Sequence, residues 1–387
     1  MPAADVLKPG VLVNPTVRPS ADITVVVPTF NERENVGELV SRLDQVLAGR
    51  AWEVVFVDDD STDGTLEALR KLAQQDTRVR LIHRIGRRGL SSAVVEGIQS
   101  SASPIVAVMD ADLQHDETIL PNMLAELKSG ETDLVVGSRY VDGGGLGDWN
   151  KDRAQMSSFA TAVSRLVVSQ SLTDPMSGFF MFRRQAFDGA VRRLSSQGYK
   201  ILLDILASSK TPVRVKELPY TFRSRAHGES KLDSAVVWEY LMLLLDKLVG
   251  HIVPIRFVMF MIVGGAGVVV HMAILTAVYR LGPMITSLAP QSAFIAGQTI
   301  AAIVAMTFNF FVNNVLTYRD KRLKGMKMLF GLLSFYLVCS VGTVANVGIA
   351  NALFGQNYAW WLSAIGGILV GAVWNYGASS VFTWRKS

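Results

Sequence analysis

Ile105-Val106-Ala107-Val108-Met109-Asp110-Ala111-Asp112-Leu113-Gln114 decides the fold of the first part of this chain. A short, uninterrupted apolar run bounded by polar residues reads as a strand buried on both faces. It ends in carboxylates at alternate positions. In an extended chain alternate side chains point the same way, so Asp110, Asp112 and Gln114 offer hard oxygen atoms to one side. Mg²⁺ and Mn²⁺ favour such ligands, taking a few protein oxygens together with substrate phosphate and water. These three residues are therefore the candidate metal ligands.

Working outward, Ile23–Val27, Glu53–Val57, Val79–Ile82 and Leu134–Val136 read as further buried strands. Helical spacing occupies Glu34–Ala48, Thr65–Gln75 and Ser91–Ser100 between them. This alternation implies a mainly parallel sheet with helices on both faces. In such sheets ligands lie beyond the C-terminal strand ends, and two more acidic clusters fall there. One is Pro28-Thr29-Phe30-Asn31-Glu32; the other runs from Asp58-Asp59-Asp60 through Ser61 and Asp63 to Thr65. Ser61 and Asp63 suit helix capping, but capping does not need three successive carboxylates. The chain has no GxxxxGK[ST] loop and no GxGxxG after its first strand, which argues against a P-loop enzyme and a nicotinamide-binding domain. Basic residues complement the acids. Arg84, Arg87 and Arg88 precede the small-residue turn Gly89-Leu90-Ser91-Ser92, which is suited to an anion. Arg139 ends the next strand, Arg153 and Ser157 follow a glycine-rich loop, and Arg225, His227, Ser230 and Lys231 come later. As a set, these groups favour an anionic substrate.

The rest of the chain belongs to a different solvent. From residue 251 onward there are nine Lys or Arg and a single acid, Asp320; the 387 residues as a whole are 50% hydrophobic and 18% charged. That composition excludes a disordered or nucleic-acid-wrapping chain, and no nucleic-acid partner is expected. Four uncharged stretches, Phe257–Tyr279, Gln291–Tyr318, Met328–Phe354 and Ala359–Trp384, each exceed the roughly 20 residues that cross a bilayer. The basic loop Arg319–Lys327 and the Arg385-Lys386 tail place both termini and the N-terminal domain in the cytoplasm. The spans repeat: Phe308-Asn309-Phe310 to Tyr318-Arg319 resembles Trp374-Asn375-Tyr376 to Trp384-Arg385, which suggests a parallel duplication. Their aromatic–Arg endings suit interfacial anchors. Asn309, Asn313, Asn314, Asn346 and Asn375 read either as ligand groups or as interhelical hydrogen-bonding groups beside Gly367 and Gly371. Ser157–Ser171 reads as a headgroup-plane helix or a core helix, and Leu232–Gly250 as a helix in the headgroup plane. Residues 1–22 read as a flexible tail with no signal peptide. The lone Cys339 excludes a disulfide framework.

Val27-Pro28-Thr29-Phe30-Asn31-Glu32, Val57 through Thr65, Asp110-Ala111-Asp112-Leu113-Gln114-His115, Gly137–Tyr140 with Gly143–Gly145 and Trp149, Asp174–Phe179 and Arg225–Leu232 occur in this order. Together they resemble the family 2 glycosyltransferases of GT-A fold, and within them the polyprenyl-phosphate (dolichyl-phosphate) mannose synthases. The four spans are similar to the GtrA-like membrane domain some of these enzymes carry. The sequence departs from the family at Gly89–Ser92 and at Asp148. The resemblance implies four regions: a 1–22 tail, a 23–230 α/β GT-A domain, a 231–253 interfacial segment and a 254–387 four-span domain. It implies that Pro28, Thr29, Glu32, Asp58, Asp59 and Asp110 bind the nucleotide-sugar donor, with Lys231 near its diphosphate. It assigns Mg²⁺ or Mn²⁺ to Asp110, Asp112 and Gln114, and the lipid phosphate acceptor to Arg139, Arg153, Ser157 and Arg225. Asp112, Arg139, Arg153 and Arg225 would be the catalytic set. The implied reaction is a metal-dependent, inverting transfer of mannose from GDP-mannose to a polyprenyl or dolichyl phosphate. A UDP-glucose or UDP-uronic acid donor, or a lipid-linked sugar flippase with a regulatory domain, are the alternatives. A processive polysaccharide synthase would carry QxxRW, which is absent. The membrane domain also offers a surface for homo-oligomerisation.

Overall fold

Valine-rich strands with both faces covered lose the usual in–out alternation of polarity, and that is how this sheet is built. The computed structural model describes residues 21–145, 164, 167–168, 172–195, 200–224, 234–250, 253–285 and 290–385. They fall into two units, Met1–Leu248 and Val249–Ser387.

In the first unit, strands β1 (Ile23–Thr29), β2 (Trp52–Asp58), β3 (Val79–His83), β4 (Ile105–Val108), β5 (Leu134–Ser138), β6 (Phe180–Arg183) and β7 (Val215–Pro219) form one sheet in the order β3-β2-β1-β4-β6-β5-β7. Only β6 runs antiparallel to its neighbours; the other pairings are parallel. Along β1, Val25 and Val27 enter one core and Val26 the other, as a two-residue period requires. The first core is closed by α1 (Arg33–Val46), α2 (Thr65–Gln75) and α4 (Leu120–Lys128). The second is closed by α3 (Leu90–Ser100), α5 (Arg184–Ala190), α6 (Ile201–Ser208) and α7 (Ser234–Val249). This is the mainly parallel GT-A architecture expected from the sequence. The five expected strands are present. Two more, β6 and β7, were not visible as periodic patterns.

Helix α7 covers most of the segment expected in the headgroup plane. One face of it, Tyr240, Leu243 and Leu244, is buried in the second core. Lys247 Nζ pairs with the fully buried Asp204 Oδ1 at 2.6 Å and donates to Ser208 Oγ at 2.9 Å, tying α7 to α6. The 1–22 tail, apart from its last two residues, and nearly all of Ser157–Ser171 lie outside the described residues; Ser164 and Val168 of the latter are buried.

Among its described residues the second unit holds four helices long and apolar enough to cross a bilayer: α8 (Ile255–Ile285), α9 (Pro290–Val315), α10 (Met326–Gly355) and α11 (Trp360–Ala378), which runs into a π-turn at Ser379–Thr383. Helices α8 and α9 pair, as do α10 and α11. The repeat seen in the sequence is carried into the packing. A Cβ on Gly267 of α8 would overlap the Asn309 carboxamide of α9, and a Cβ on Gly342 of α10 would overlap that of Asn375 of α11. Each asparagine fills a glycine notch on the preceding helix, leaving its Oδ1 buried without a hydrogen bond. Asn313 bonds locally, its Oδ1 accepting from Thr317 Oγ1, just past α9, at 2.7 Å; Asn314 holds Leu323 N–H and Trp384 Nε1–H.

In the aromatic–Arg endings the arginines are exposed, but the aromatic rings turn into the bundle instead of facing an interface. Tyr318 and Trp384, 1% and 0% exposed, stack on each other with centroids 4.1 Å apart and planes 5° apart. Phe310 and Phe335 pack around them. Burying the wide Trp384 ring strands no donor, because Asn314 Oδ1 accepts its indole N–H at 3.1 Å.

Candidate active site

The C-terminal strand ends are level: Thr29 pairs with Asp58 and Asp58 with His83, while Met109, just past β4, donates its N–H to Val26 O. The antiparallel β6 begins at this same edge, so the chain just before it, Asp174–Phe179, meets Asp110–His115 there.

The turns after β1 and β2 interlock. Asn31 N–H donates to Ser61 Oγ (2.8 Å), Thr62 N–H to Asn31 Oδ1 (3.0 Å) and Glu32 N–H to Thr65 Oγ1 (2.9 Å). Asn31 and Asp60 adopt φ of 55° and 63°, a region these residue types tolerate. Of the expected donor ligands, Pro28 is half-buried and Thr29 buried, its hydroxyl donating to Val27 O; Glu32 accepts from Asn35 Nδ2 at 2.7 Å. Asp58 is fully buried and accepts from Ser61 N–H at 3.0 Å and from Ser61 Oγ–H at 2.5 Å. Asp59 accepts from Arg84 Nη1 at 2.6 Å and from Gly89 N–H at 2.7 Å; burial raises its pKa, against the pull of Gly89 and Arg84. The small-residue turn expected to receive a substrate anion thus holds the Asp59 carboxylate. Arg84, 2% exposed, also donates to Gly89 O and Ser92 Oγ. Arg87 pairs with Glu96, and Arg88 lies 4.3 Å over the Phe30 ring. These arginines build the wall of the site.

Asp110, Asp112 and Gln114 follow β4. The Asp110 side chain is 38% exposed, whereas Asp112 is buried. Asp112 Oδ1 accepts from Gln114 N–H at 3.2 Å. Gln114 Nε2 donates to Arg223 O at 3.0 Å, which turns its amide nitrogen away from the two carboxylates' own loop. Leu113 between them has φ of 61°, a left-handed conformation costing a branched apolar residue about 1–2 kcal/mol. Strain of that kind concentrates at ligand sites. Two carboxylates and a carboxamide are a hard-oxygen set that fits Mg²⁺ or Mn²⁺; no cluster of three acidic, His or Cys ligands occurs among the described residues.

His115 underpins this loop. It is buried, stacks on Phe179 (5.1 Å, 12°) and meets Tyr220 and Phe222 edge-on. Its Nδ1 accepts from Asp110 N–H at 3.1 Å. Burial drives its pKa down to about 4, and the charge of Arg139 adds to that. The ring is therefore neutral, with its proton on Nε2, which faces Asp110 Oδ2 at 3.8 Å.

Arg139 makes a bidentate pair with Asp174: Nε donates to Oδ2 at 2.7 Å and Nη2 to Oδ1 at 2.8 Å. The side chains are 9% and 0% exposed. The guanidinium also lies over the Tyr140 and Phe222 rings. Asp174 is seated by Glu217 of β7, which accepts from its N–H and from the Thr173 N–H and hydroxyl, all at 2.9 Å. Gly178 links this pair to the carboxylates. A Cβ there would stand 3.1 Å from Asp110 Oδ2 and 3.4 Å from His115 Cε1.

Asp174, Glu217, Lys200 and Tyr220 are the residues the sequence reading passed over as site groups. Lys200 Nζ reaches Met176 O at 3.5 Å; burial and then the charge of Arg139 lower its pKa, against Asp174 and Asp110. Burial raises the pKa of Tyr220, and the charges of Arg139, Asp174 and Asp110 all reach it. Anionic and cationic sides of the site are therefore within Coulomb range of one another. Arg153, Ser157, Arg225, His227, Ser230 and Lys231 lie outside the described residues. Arg223, two positions before Arg225, is fixed by Glu117 and Asp116 at 2.6 and 2.7 Å, and its N–H donates to Gln114 O.

Residues 24–189 match the family described as glycosyl transferase family 2, and residues 259–384 match the GtrA/DPMS transmembrane domain. The chain is therefore an integral membrane protein. It is 35% identical over 367 residues to a dolichol-phosphate mannosyltransferase of Pyrococcus furiosus, spanning 94% of this chain and 99% of that one. A protein of the same name from Mycosarcoma maydis is 38% identical over 246 residues, 61% of this chain and 83% of its own. Among solved structures, glucosyl-3-phosphoglycerate synthase of Mycobacterium tuberculosis aligns with a TM-score of 0.45 at 18% identity, over 59% of this chain and 80% of that one.

Proposed function

Because the chain belongs to the dolichol-phosphate mannosyltransferases of glycosyl transferase family 2, we propose that it transfers mannose from GDP-mannose to dolichyl phosphate in one metal-assisted, inverting displacement at the cytoplasmic face. Transfer of mannose to dolichyl phosphate follows from the family. The donor nucleotide, the metal, the stereochemistry and the orientation are the further content of the proposal. The observation that supports it best is the meeting of Asp110 with the Asp174–Gly178 segment, which brings a carboxylate loop beside a buried arginine at one sheet edge.

The interlocked β1 and β2 turns would hold the nucleoside, with Pro28, Thr29 and Glu32 lining it and Asp58 and Asp59 fixing the turns. Asp110, Asp112 and Gln114 would hold Mg²⁺ or Mn²⁺. When bound, that ion neutralises charge on the departing diphosphate. Neutral His115, by accepting the Asp110 N–H, fixes the direction in which the carboxylate points. Asp174 occupies the Nε edge of Arg139, so the acceptor phosphate would meet the guanidinium's other side. Arg153, Ser157 and Arg225 complete the proposed acceptor site, with Lys231 near the diphosphate. A phosphate monoester is mostly ionised at neutral pH and needs no strong general base. Aiming its oxygen at the anomeric carbon supplies much of the rate.

The test is purified full-length protein with dolichyl phosphate, Mg²⁺ or Mn²⁺, and GDP-mannose, UDP-glucose or UDP-glucuronic acid in parallel. The expected product is β-linked dolichyl-phosphate mannose from GDP-mannose alone. A preference for a UDP-sugar, or an α-linked product, overturns the donor or the stereochemical assignment respectively.

A further inference from the structure

The last turn of the fourth membrane helix and the first turns of the third border an open surface cavity of about 590 Å³ at the end bearing the basic loop. Lys327, Phe330 and Ser334 of α10 line one side; Phe382, Thr383 and Arg385 line the other. Ser334 Oγ and Thr383 Oγ1 lie 3.2 Å apart on its wall. Phe330 and Phe382, 65% and 68% exposed, flank it on a surface that faces lipid in a membrane protein. A second cavity of about 340 Å³ shares Phe382 and Arg385. The π-turn shapes this wall: Trp384 N–H donates to Ser379 O, five residues back, at 2.9 Å.

Charge decides what the cavity suits. Lys327 and Arg385 are both exposed, and no salt bridge holds either among the described residues. The one acid after residue 251 is Asp320. Two exposed cations without a salt bridge among the described residues match a phosphate monoester, which carries about −1.5 to −2 at neutral pH. A phosphodiester headgroup has a single charge and leaves one cation unmatched. Free phosphate would gain nothing from aromatic walls open to lipid.

We propose that this cavity is a second lipid site, which holds the phosphate monoester of a polyprenyl lipid between Lys327 and Arg385, with the start of its chain along Phe330 and Phe382. The choice of a polyprenyl chain rests on the acceptor class proposed above; the phosphate site itself does not. The membrane unit then does more than anchor the enzyme, because it retains its own molecule of acceptor-type lipid.

The test uses the full-length protein in phosphatidylcholine nanodiscs with a diazirine-bearing polyprenyl phosphate and no sugar nucleotide. Crosslinks are mapped by mass spectrometry. The expected labelling falls at residues 327–334 and 380–385. Lys327→Ala with Arg385→Ala should reduce it at least tenfold, with labelling of residues 21–248 within twofold of wild type. Lys324→Ala, an exposed lysine outside the cavity, should leave it unchanged. Should the double variant fail to fold, the single changes Lys327→Gln and Arg385→Gln are read in its place, each expected to weaken labelling several-fold. No labelling at these segments, unchanged labelling in the variants, or displacement by an equal mole fraction of phosphatidylglycerol overturns the proposal. Glycosyl transfer without such labelling sinks this site alone; labelling without transfer sinks the catalytic reading and leaves the site standing.

Discussion

Replacing Asp174 with Asn keeps the shape of the Arg139 partner and removes its charge. Arg139 cannot shed its proton, and at 9% exposure it cannot reach water either. Breaking a buried pair by neutralising one member costs about 3–5 kcal/mol, because an uncompensated charge is left behind. At about 1.4 kcal/mol per decade, that is a loss of roughly two to four orders of magnitude in the protection of core amides. Hydrogen exchange of the β5 and β6 amides in the purified full-length protein isolates this effect from the membrane helices. Those strands flank the pair, with Arg139 directly after β5 and Asp174 shortly before β6. Combining Asp174→Asn with Arg139→Met should restore at least half of the lost protection, since no charge is then stranded. Activity should stay low in both variants if Arg139 meets the acceptor. A single-variant loss under about 1 kcal/mol, or a double variant no better protected than the single, would refute the claim that charge compensation holds this corner together.

Other outcomes follow from the same geometry. Gly178→Ala should leave the fold near wild-type stability but raise the donor KM about tenfold, because the new methyl turns the exposed Asp110 carboxylate while the stacked His115 cannot yield; an unchanged KM refutes it. Asp112→Ala should abolish turnover and weaken metal-dependent donor binding, and a chelator should silence the wild type until Mg²⁺ or Mn²⁺ is restored. His115 has a folded pKa of about 4 against 6.5 unfolded. The unfolded chain therefore binds more protons between these values, so its contribution is complete above pH 6.5 and is lost as pH falls toward 4, up to about 3 kcal/mol. His115→Gln should flatten denaturation midpoints across that window, and a slope equal to wild type counts against a buried neutral imidazole. In the membrane unit, Gly342→Ala should cost about 1–3 kcal/mol by expelling Asn375 from its notch. Thermal unfolding of the purified protein measures it, and Gly265→Ala, which meets nothing, should be neutral in the same measurement.

The parallel half of the sheet was legible because Val54 through Val57 or Ile105 through Val108 are apolar without interruption and end in turn residues. Strand β6 was not, because its four residues Phe180–Arg183 directly abut a helix and show no period. Strand β7 pairs with β5 alone and is studded with Lys216, Glu217 and Pro219, so its pattern is that of a polar edge. The three carboxylate clusters do lie together at one edge of the sheet. Their division of labour did not show. Asp58 takes its hydrogen bonds from Ser61 nearby, Asp59 from the distant Arg84 and Gly89, while Asp110 stays partly exposed, and the sequence contains no record of that. Asp174 and Lys200 lie dozens of residues from the carboxylates they join, and only the antiparallel entry of β6 brings the former to the same edge. The membrane repeat was visible from its 66-residue spacing, but the aromatic endings were misplaced at the interface. Nothing local says that a terminal Trp will find its own counterpart as its partner.

That stack of Tyr318 on Trp384 has a wider meaning. Residues at matching places in two copies of a motif touch each other when a two-fold axis passes between them, as in an isologous dimer contact. The membrane unit is therefore built like a symmetric dimer of two-helix hairpins joined by one loop. Its axial residues are answerable to each other, and a substitution at one changes the surface that its twin must fit. A hairpin of this kind, freed from its partner, would carry a self-complementary face, and two copies of either half should find each other in a bilayer.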